Sequence, residues 1–224
     1  MKKLLILAAT LAAFSSLKAQ DDAEVTMSLG YESQYVFRGF ALANDSMVAS
    51  MEAKFGDAHL GFWSNQPIVG NFDNEFDFYG GFGFEIAEGI NLDLGGTLYY
   101  YPETVGNTDT FELYASFGID TGLDPAITIY YDLDLEAITV EGSVGESWEM
   151  DEKTSFDVSA FLGNVNGNGF DYSYFGASAD VVKSFSDTAS GSIGVRYSDG
   201  SWTGLIQDGP QDEIWFGGSI STGW

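Results

Sequence analysis

Apolar residues recur at every second position through most of the chain, with polar residues between them. Successive side chains of a strand point to opposite faces, so this pattern predicts strands with one greasy side and one wet side. The first such segment sets Val25, Met27, Leu29 and Tyr31 against Glu24, Thr26, Ser28, Glu32 and Gln34. Met47, Ala49, Met51, Ala53 and Phe55 come next, opposed by Ser50, Glu52 and Lys54. Gly56-Asp57 then reads as a tight turn, before Leu60 and Phe62 with His59 and Trp63 on the other side. Phe76, Phe78, Gly80, Phe82 and Phe84 alternate with Glu75, Asp77, Tyr79 and Glu85. The same rule runs through Ile90–Leu98, Phe111–Ile119, Ile127–Leu133, Ile138–Val144, Phe156–Leu162, Phe175–Val181, Ile193–Tyr197 and Ile214–Trp224.

The greasy side carries almost no charge in any segment. A hydrocarbon-facing surface demands this, because Arg or Lys there costs about 2–4 kcal/mol at mid-depth. A soluble sandwich also alternates, but its wet side faces bulk water and usually carries many Lys. Connections differ in length: Gly56-Asp57, Ala87–Gly89, Gly122–Asp124 and Ser186-Asp187 are short, whereas Phe40 to Ser46, Asn65 to Asn74, Pro102 to Asp109 and Asp199 to Asp212 read as long loops. The link from Leu133 to Ile138 is a brief exception. Short inner turns with long outer loops are the mark of an outer-membrane barrel. Lipid tolerates no open sheet edge. The expectation is therefore an all-β fold, a closed antiparallel transmembrane β-barrel of about 12 strands, with both termini in the periplasm.

Residues 1–19 have a charged start, an apolar run from Leu4 to Phe14 and Ala19 at the expected cut site, a secretory signal peptide. The run is too short for a spanning helix. Residues 20–224 then form a single barrel domain in the outer membrane of a Gram-negative cell. The chain contains no cysteine, which excludes a lipoprotein anchor, disulfides and thiolate metal sites. Its net charge is −26, and it becomes more acidic still when Lys2, Lys3 and Lys18 leave with the leader. Such a chain repels phosphates, so nucleic acid is excluded as a partner; cations and basic solutes are favoured.

Tyr31–Gly39, reading YESQYVFRG, resembles the opening Ser-x-Tyr-x-Phe-Arg-Gly signature of the TorF family of porin-like proteins. Gly61-Phe62-Trp63-Ser64-Asn65 is similar to that family's second hairpin, which often has a Gly-x-Trp-x-Ser-Asn pattern. The family often places a Pro a few residues after Arg-Gly; here the chain continues Phe40-Ala41-Leu42-Ala43. The resemblance is specific over the first third of the chain, and it implies an outer-membrane barrel with pore activity. Trp224 ends an alternating last segment and looks like the signal read by the barrel-assembly machinery; it also suits an interfacial girdle.

Wet-side residues should line the lumen. The candidates are Glu32, Glu52, Asp77, Asp93, Glu112, Glu141, Asp157 and Asp180, with Arg38, Lys54 and Arg196 as the minority cations. Excess wall carboxylate points to a conduit for small hydrophilic solutes that favours cations. The alternative is a closed structural or surface-interaction barrel whose acids and arginines pair internally. Arg38, on the inward parity of the first segment, is either a selectivity charge or a structural guanidinium holding carboxylates. His59 is the single histidine, and Ser50, Glu52 or Asp77 would be its partners in a barrel-embedded hydrolase; no nucleophile motif surrounds any Ser. No enzyme activity and no cofactor are expected. Asn164–Asp171 and Asp208–Glu213 read as acidic outer loops; oxygen-rich loops suit divalent ions, but their spacing matches no EF-hand, so no metal site is expected. The remaining expected partners are outer-membrane lipid and lipopolysaccharide.

Overall fold

The computed structural model describes residues 23–70, 72–104, 109–204 and 212–224. The leader, residues 1–19, lies outside the described residues, and of Asp208–Glu213 only Asp212 and Glu213 lie within them. Twelve strands follow one another: β1 (Glu24–Phe37), β2 (Phe40–Phe55), β3 (Ala58–Pro67), β4 (Glu75–Ala87), β5 (Ile90–Tyr100), β6 (Thr110–Ile119), β7 (Ala126–Asp132), β8 (Ala137–Asp151), β9 (Thr154–Gly167), β10 (Phe170–Ser184), β11 (Ala189–Gly204) and β12 (Glu213–Gly223). Each pairs antiparallel with its neighbours in sequence, and β12 pairs with β1 to close the barrel.

The outer wall is the greasy side read from the alternation. Leu29, Leu162, Ile193, Ile214 and Ile220 are more than half exposed, as are few apolar side chains of a soluble protein without a partner. Outward aromatic pairs gather near the two rims. Tyr31–Phe216, Phe62–Phe76 and Phe175–Tyr197 lie toward one end, and stacked Trp148–Phe156, with ring centroids 6.1 Å apart, toward the other. Such girdles mark the edges of an apolar band.

Both described chain ends lie at one rim, with the turns after β2, β4, β6, β8 and β10; the other connections lie at the opposite, loop rim. Two of the expected outer loops are strand instead, and two more are strand in part, at residues 65–67 of β3 and 199–204 of β11. Phe40–Ser46 belongs to β2, and Asn164–Asp171 is divided between β9 and β10, leaving Asn168-Gly169 as the turn. In the latter region the alternation inverts. Asn164, Asn166 and Asp171 face outward, Asp171 accepting from the two amides at 2.9 and 3.0 Å. Val165, Tyr172 and Tyr174 are buried inside with Ala137. The barrel thus has a small apolar core within its loop end.

Candidate functional site

The lumen is organised by lumen tyrosines that lie flat on facing glycines. Tyr79 pairs with Gly61, Tyr114 with Gly95 and Tyr174 with Gly163. At Gly61 a Cβ would fall 2.1 Å from the Tyr79 ring, so only glycine admits the ring there. Lying flat brings each hydroxyl to a polar partner: Tyr79 donates to Glu52 at 3.1 Å, Tyr174 donates to Glu141 at 2.7 Å, and Tyr114 Oη bonds His59 Nε2 at 3.0 Å.

The β1–β2 hairpin departs from the wall. Its pairing with β12 ends at Glu32↔Gly217, and its pairing with β3 begins at Ser46↔Pro67, so beyond single bonds at its base, from Phe216 to Ser33 and from Ile68 to Asp45, the ladder of 33–45 lies within the hairpin. A register shift between Tyr35 and Val36 inserts an extra residue opposite, and Asp45 takes a left-handed φ of 44°. Bulges of this kind bend a strand and increase its twist. The Tyr31 hydroxyl bonds the Asp45 carboxylate at the bend. At the tip, Arg38 (φ 47°) and Gly39 (φ 85°) form a two-residue turn with both central φ positive, the combination that matches strand twist. Arg38 therefore sits in the turn rather than on the strand, as its parity had implied.

Bent inward, the tip crosses the mouth. Arg38 donates from Nη1 and Nη2 to the two carboxylate oxygens of Glu112 on β6, at 2.8 and 2.9 Å. Its guanidinium lies 4.6 Å from the centre of the Tyr130 ring and 4.8 Å from that of Phe37. Both side chains of this ion pair are buried, 12% and 4% exposed. Phe40 meets Tyr172 edge-on at 4.9 Å, Phe37 lies 5.9 Å from Tyr99, and Tyr35 lies 5.2 Å from Trp63. Gly39 is seated so tightly that a Cβ would fall 2.8 Å from Gly200 Cα. One hairpin thus touches strands around most of the circumference.

The hairpin divides the interior. A cavity of about 410 Å³ on the loop side is lined by Tyr35, Asn65, Glu75 and Tyr101 among others. Another of about 330 Å³, lined by Glu32, Tyr35, Trp63, Arg196 and Trp215, lies toward the chain ends. Tyr35 lines both. A third, about 190 Å³, surrounds Arg38.

Most carboxylates expected in the lumen have partners there. Glu32 and Asp180 flank Arg196 at 3.4 and 3.0 Å. Asp93 lies 3.6 Å from His59 Nδ1, Asp157 accepts from Ser147 at 2.6 Å, and Lys54 reaches Glu52 at 3.7 Å with its amine largely exposed. Asp77 is 9% exposed and its Oδ1 has no hydrogen-bond partner. The partners of His59 are thus Tyr114 and Asp93, not Ser50, Glu52 or Asp77; its strand pairs Lys54, not those residues, opposite it. Among the described residues no group of three His or acidic side chains converges to hold a metal. Trp224 pairs its backbone with Val25 at 2.9 and 3.0 Å, its side chain exposed on the apolar wall.

Sequence reasoning missed Glu75 and Asp132, both buried. Glu75 accepts from the Tyr101 hydroxyl at 3.0 Å, and Asp132 accepts the backbone N–H of Asp134 and Leu135 at 2.8 Å, holding the β7–β8 turn. Glu75 shares the parity of Asp77, a signal that was present. Nothing local marked Tyr35 or Phe40 as occupants of the mouth.

Residues 17–130, just over half of the chain, match the model of a family described as a bacterial protein of unknown function (Gcw_chp). No curated protein matches the sequence. Solved structures share the architecture. A KdgM porin superposes with a TM-score of 0.60 at 7% identity, covering 89% of this chain and 98% of its own. A NanC porin gives 0.57 at 12%, covering 88% and 98%. An outer membrane channel from Pseudomonas putida F1 gives 0.54 at 11%, covering 90% and 95%. At such identities the likeness is one of fold.

Proposed function

The chain belongs to the Gcw_chp family, bacterial proteins of unknown function, and we propose that it is an outer-membrane channel for small hydrophilic solutes. The observation that carries this reading is the partition of the barrel: exposed Leu, Ile and Phe outside, cavities lined by Glu, Ser, Tyr and Arg inside. That the similar folds include named porins and a channel supports it. The TorF resemblance of Tyr31–Gly39 belongs to the same reading, as do a cleaved leader at 1–19, periplasmic termini, and Trp224 as the assembly signal.

The proposed preference is for cations. Glu32, Glu52, Asp77, Asp93, Glu112, Glu141, Asp157 and Asp180 face Arg38, Lys54 and Arg196, and the excess carboxylate raises the local concentration of positive solutes. The test is reconstitution in planar bilayers under a salt gradient. The expected result is discrete conductance steps with a reversal potential on the cation side; an anionic reversal potential removes the preference, and loss of all conductance removes the channel.

A second reading has its own observation. The buried Arg38–Glu112 pair and the hairpin across the mouth favour a barrel that rests closed, with its loop rim acting as a surface for interaction. Removing the hairpin distinguishes the two: a variant that conducts where the intact chain does not is a channel held shut, and one that never conducts is a structural barrel.

A further inference from the structure

Under the hairpin, buried carboxylates outnumber the cations that serve them. Glu75, Asp77, Glu112 and Asp132 are each at most 9% exposed. Glu112 holds the Arg38 guanidinium through both oxygens and also accepts from Tyr99 at 3.0 Å. Glu75 accepts from Tyr101, and Asp132 is occupied by turn amides. Asp77 remains, with Oδ1 buried and unpaired. Glu32, Asp93 and Asp180 also bury an oxygen without a hydrogen bond, but each lies within 3.6 Å of Arg196 or His59; a buried oxygen such as that of Asp77 calls for a partner.

The surroundings of Asp77 select the partner. Its cross-strand neighbours are Trp63 on β3 and Tyr99 on β5, and Tyr35 of the hairpin packs on Trp63. Glu75 lies two residues along on the same face of β4. A divalent ion needs six or more oxygen ligands, whereas the described residues bring no three acidic or histidine groups together. One free carboxylate oxygen with Trp63 and Tyr99 as its cross-strand neighbours suits a compact organic cation, which donates an N–H to the oxygen and can rest its charge on aromatic rings.

We propose that Asp77, with Glu75, Trp63, Tyr99 and Tyr35, forms a binding site for a primary ammonium group in the mouth of the barrel. The site deepens the cation-favouring channel proposed above and rests on it for its route of access. Binding itself is measured without current, so a non-conducting barrel that binds and a conducting barrel that does not are separate outcomes.

The probe is n-propylammonium chloride, titrated against the full mature chain folded in detergent micelles and followed by saturation-transfer NMR of the probe protons. Saturable binding is expected, weakened about tenfold or more in Asp77→Asn, the size of a lost charge-assisted hydrogen bond. Asp171→Asn, at a carboxylate on the outer face of the β9–β10 tip, should leave affinity unchanged. On the unmutated protein, n-propanol and propionate should show no saturable effect. Absence of propylammonium binding, equal binding of n-propanol, or affinity unchanged in Asp77→Asn would each overturn the site.

Discussion

Hairpins β1–β2 and β9–β10 are built alike and end differently. Each turns on two residues with glycine second, Arg38-Gly39 in one and Asn168-Gly169 in the other. Strands β9 and β10 stay paired on both flanks almost to the turn, through Ile138↔Asn166 on one side and Phe170↔Gly204 on the other. Strands β1 and β2 lose their flanks well short of the turn, five residues before it at Glu32 and six after it at Ser46. The turn residues do not decide this. What differs is the bend at Asp45 and Leu42, together with a tip made of Tyr35, Phe37, Arg38 and Phe40, side chains that only the lumen can bury. The β9–β10 tip instead places Asn164, Asn166 and Asp171 outside, where water suits them. A hairpin follows its side chains, and the backbone ladder yields.

The strongest way to break the comparison is to remove one tip. Replacing Tyr35–Ala43 with an Asn-Gly turn should raise single-channel conductance several-fold, because the element dividing the interior is gone; equal shortening of β9–β10 should not. Conductance unchanged by the first deletion would show that the hairpin does not set the constriction.

Next in size is the latch. Arg38→Ala strands Glu112 as a buried carboxylate without its guanidinium, a change worth about 3–5 kcal/mol for a buried pair. Urea unfolding of the barrel should register the loss, and current recordings should become noisier as the hairpin loosens. Arg38→Lys should recover only part, since an ammonium cannot make the two parallel bonds.

The smallest change sharpens the contrast most. Gly39→Ala and Gly169→Ala both force alanine toward a left-handed φ, 85° and 91°, at about 1–2 kcal/mol each. At Gly39 the added methyl also meets Gly200 and Tyr174 at 2.8 and 3.0 Å. It should therefore destabilise more than its counterpart and alter conductance as well; equal effects in unfolding and no change in current would mean the tip is not seated.

Much of the wall was legible in the sequence, because one parity carries almost no charge, as a lipid-facing wall requires. Phe78, Phe82 and Phe84 face out, as do Leu29, Leu113, Ile129 and Ile193. The lumen parity of Glu52, Asp93 and Glu141 follows from the same rule. Two things escaped. Arg38 points inward near the mouth as its parity implies, but from the turn, because β1 ends at Phe37. Near the loop rim the solvent pattern reverses, so the outward Asn164 and Asn166 looked like loop. The hairpin's destination depends on Glu112, Tyr130 and Tyr172, brought near by closure of the barrel and invisible to any local window. One tyrosine–glycine pair was within reach, since Gly163 and Tyr174 fall opposite each other once the two-residue Asn168-Gly169 turn is counted out.

The point where β1 parts from β12 also measures how deep the barrel sits. From Glu213 to Phe216, β12 lacks β1 on its flank, with Ser33 Oγ accepting the Phe216 amide at 3.1 Å in place of a strand. Hydrocarbon cannot satisfy a bare ladder edge. A bilayer's acyl chains would then end at or below the level of Glu32 and Gly217, with the divided mouth above the hydrocarbon.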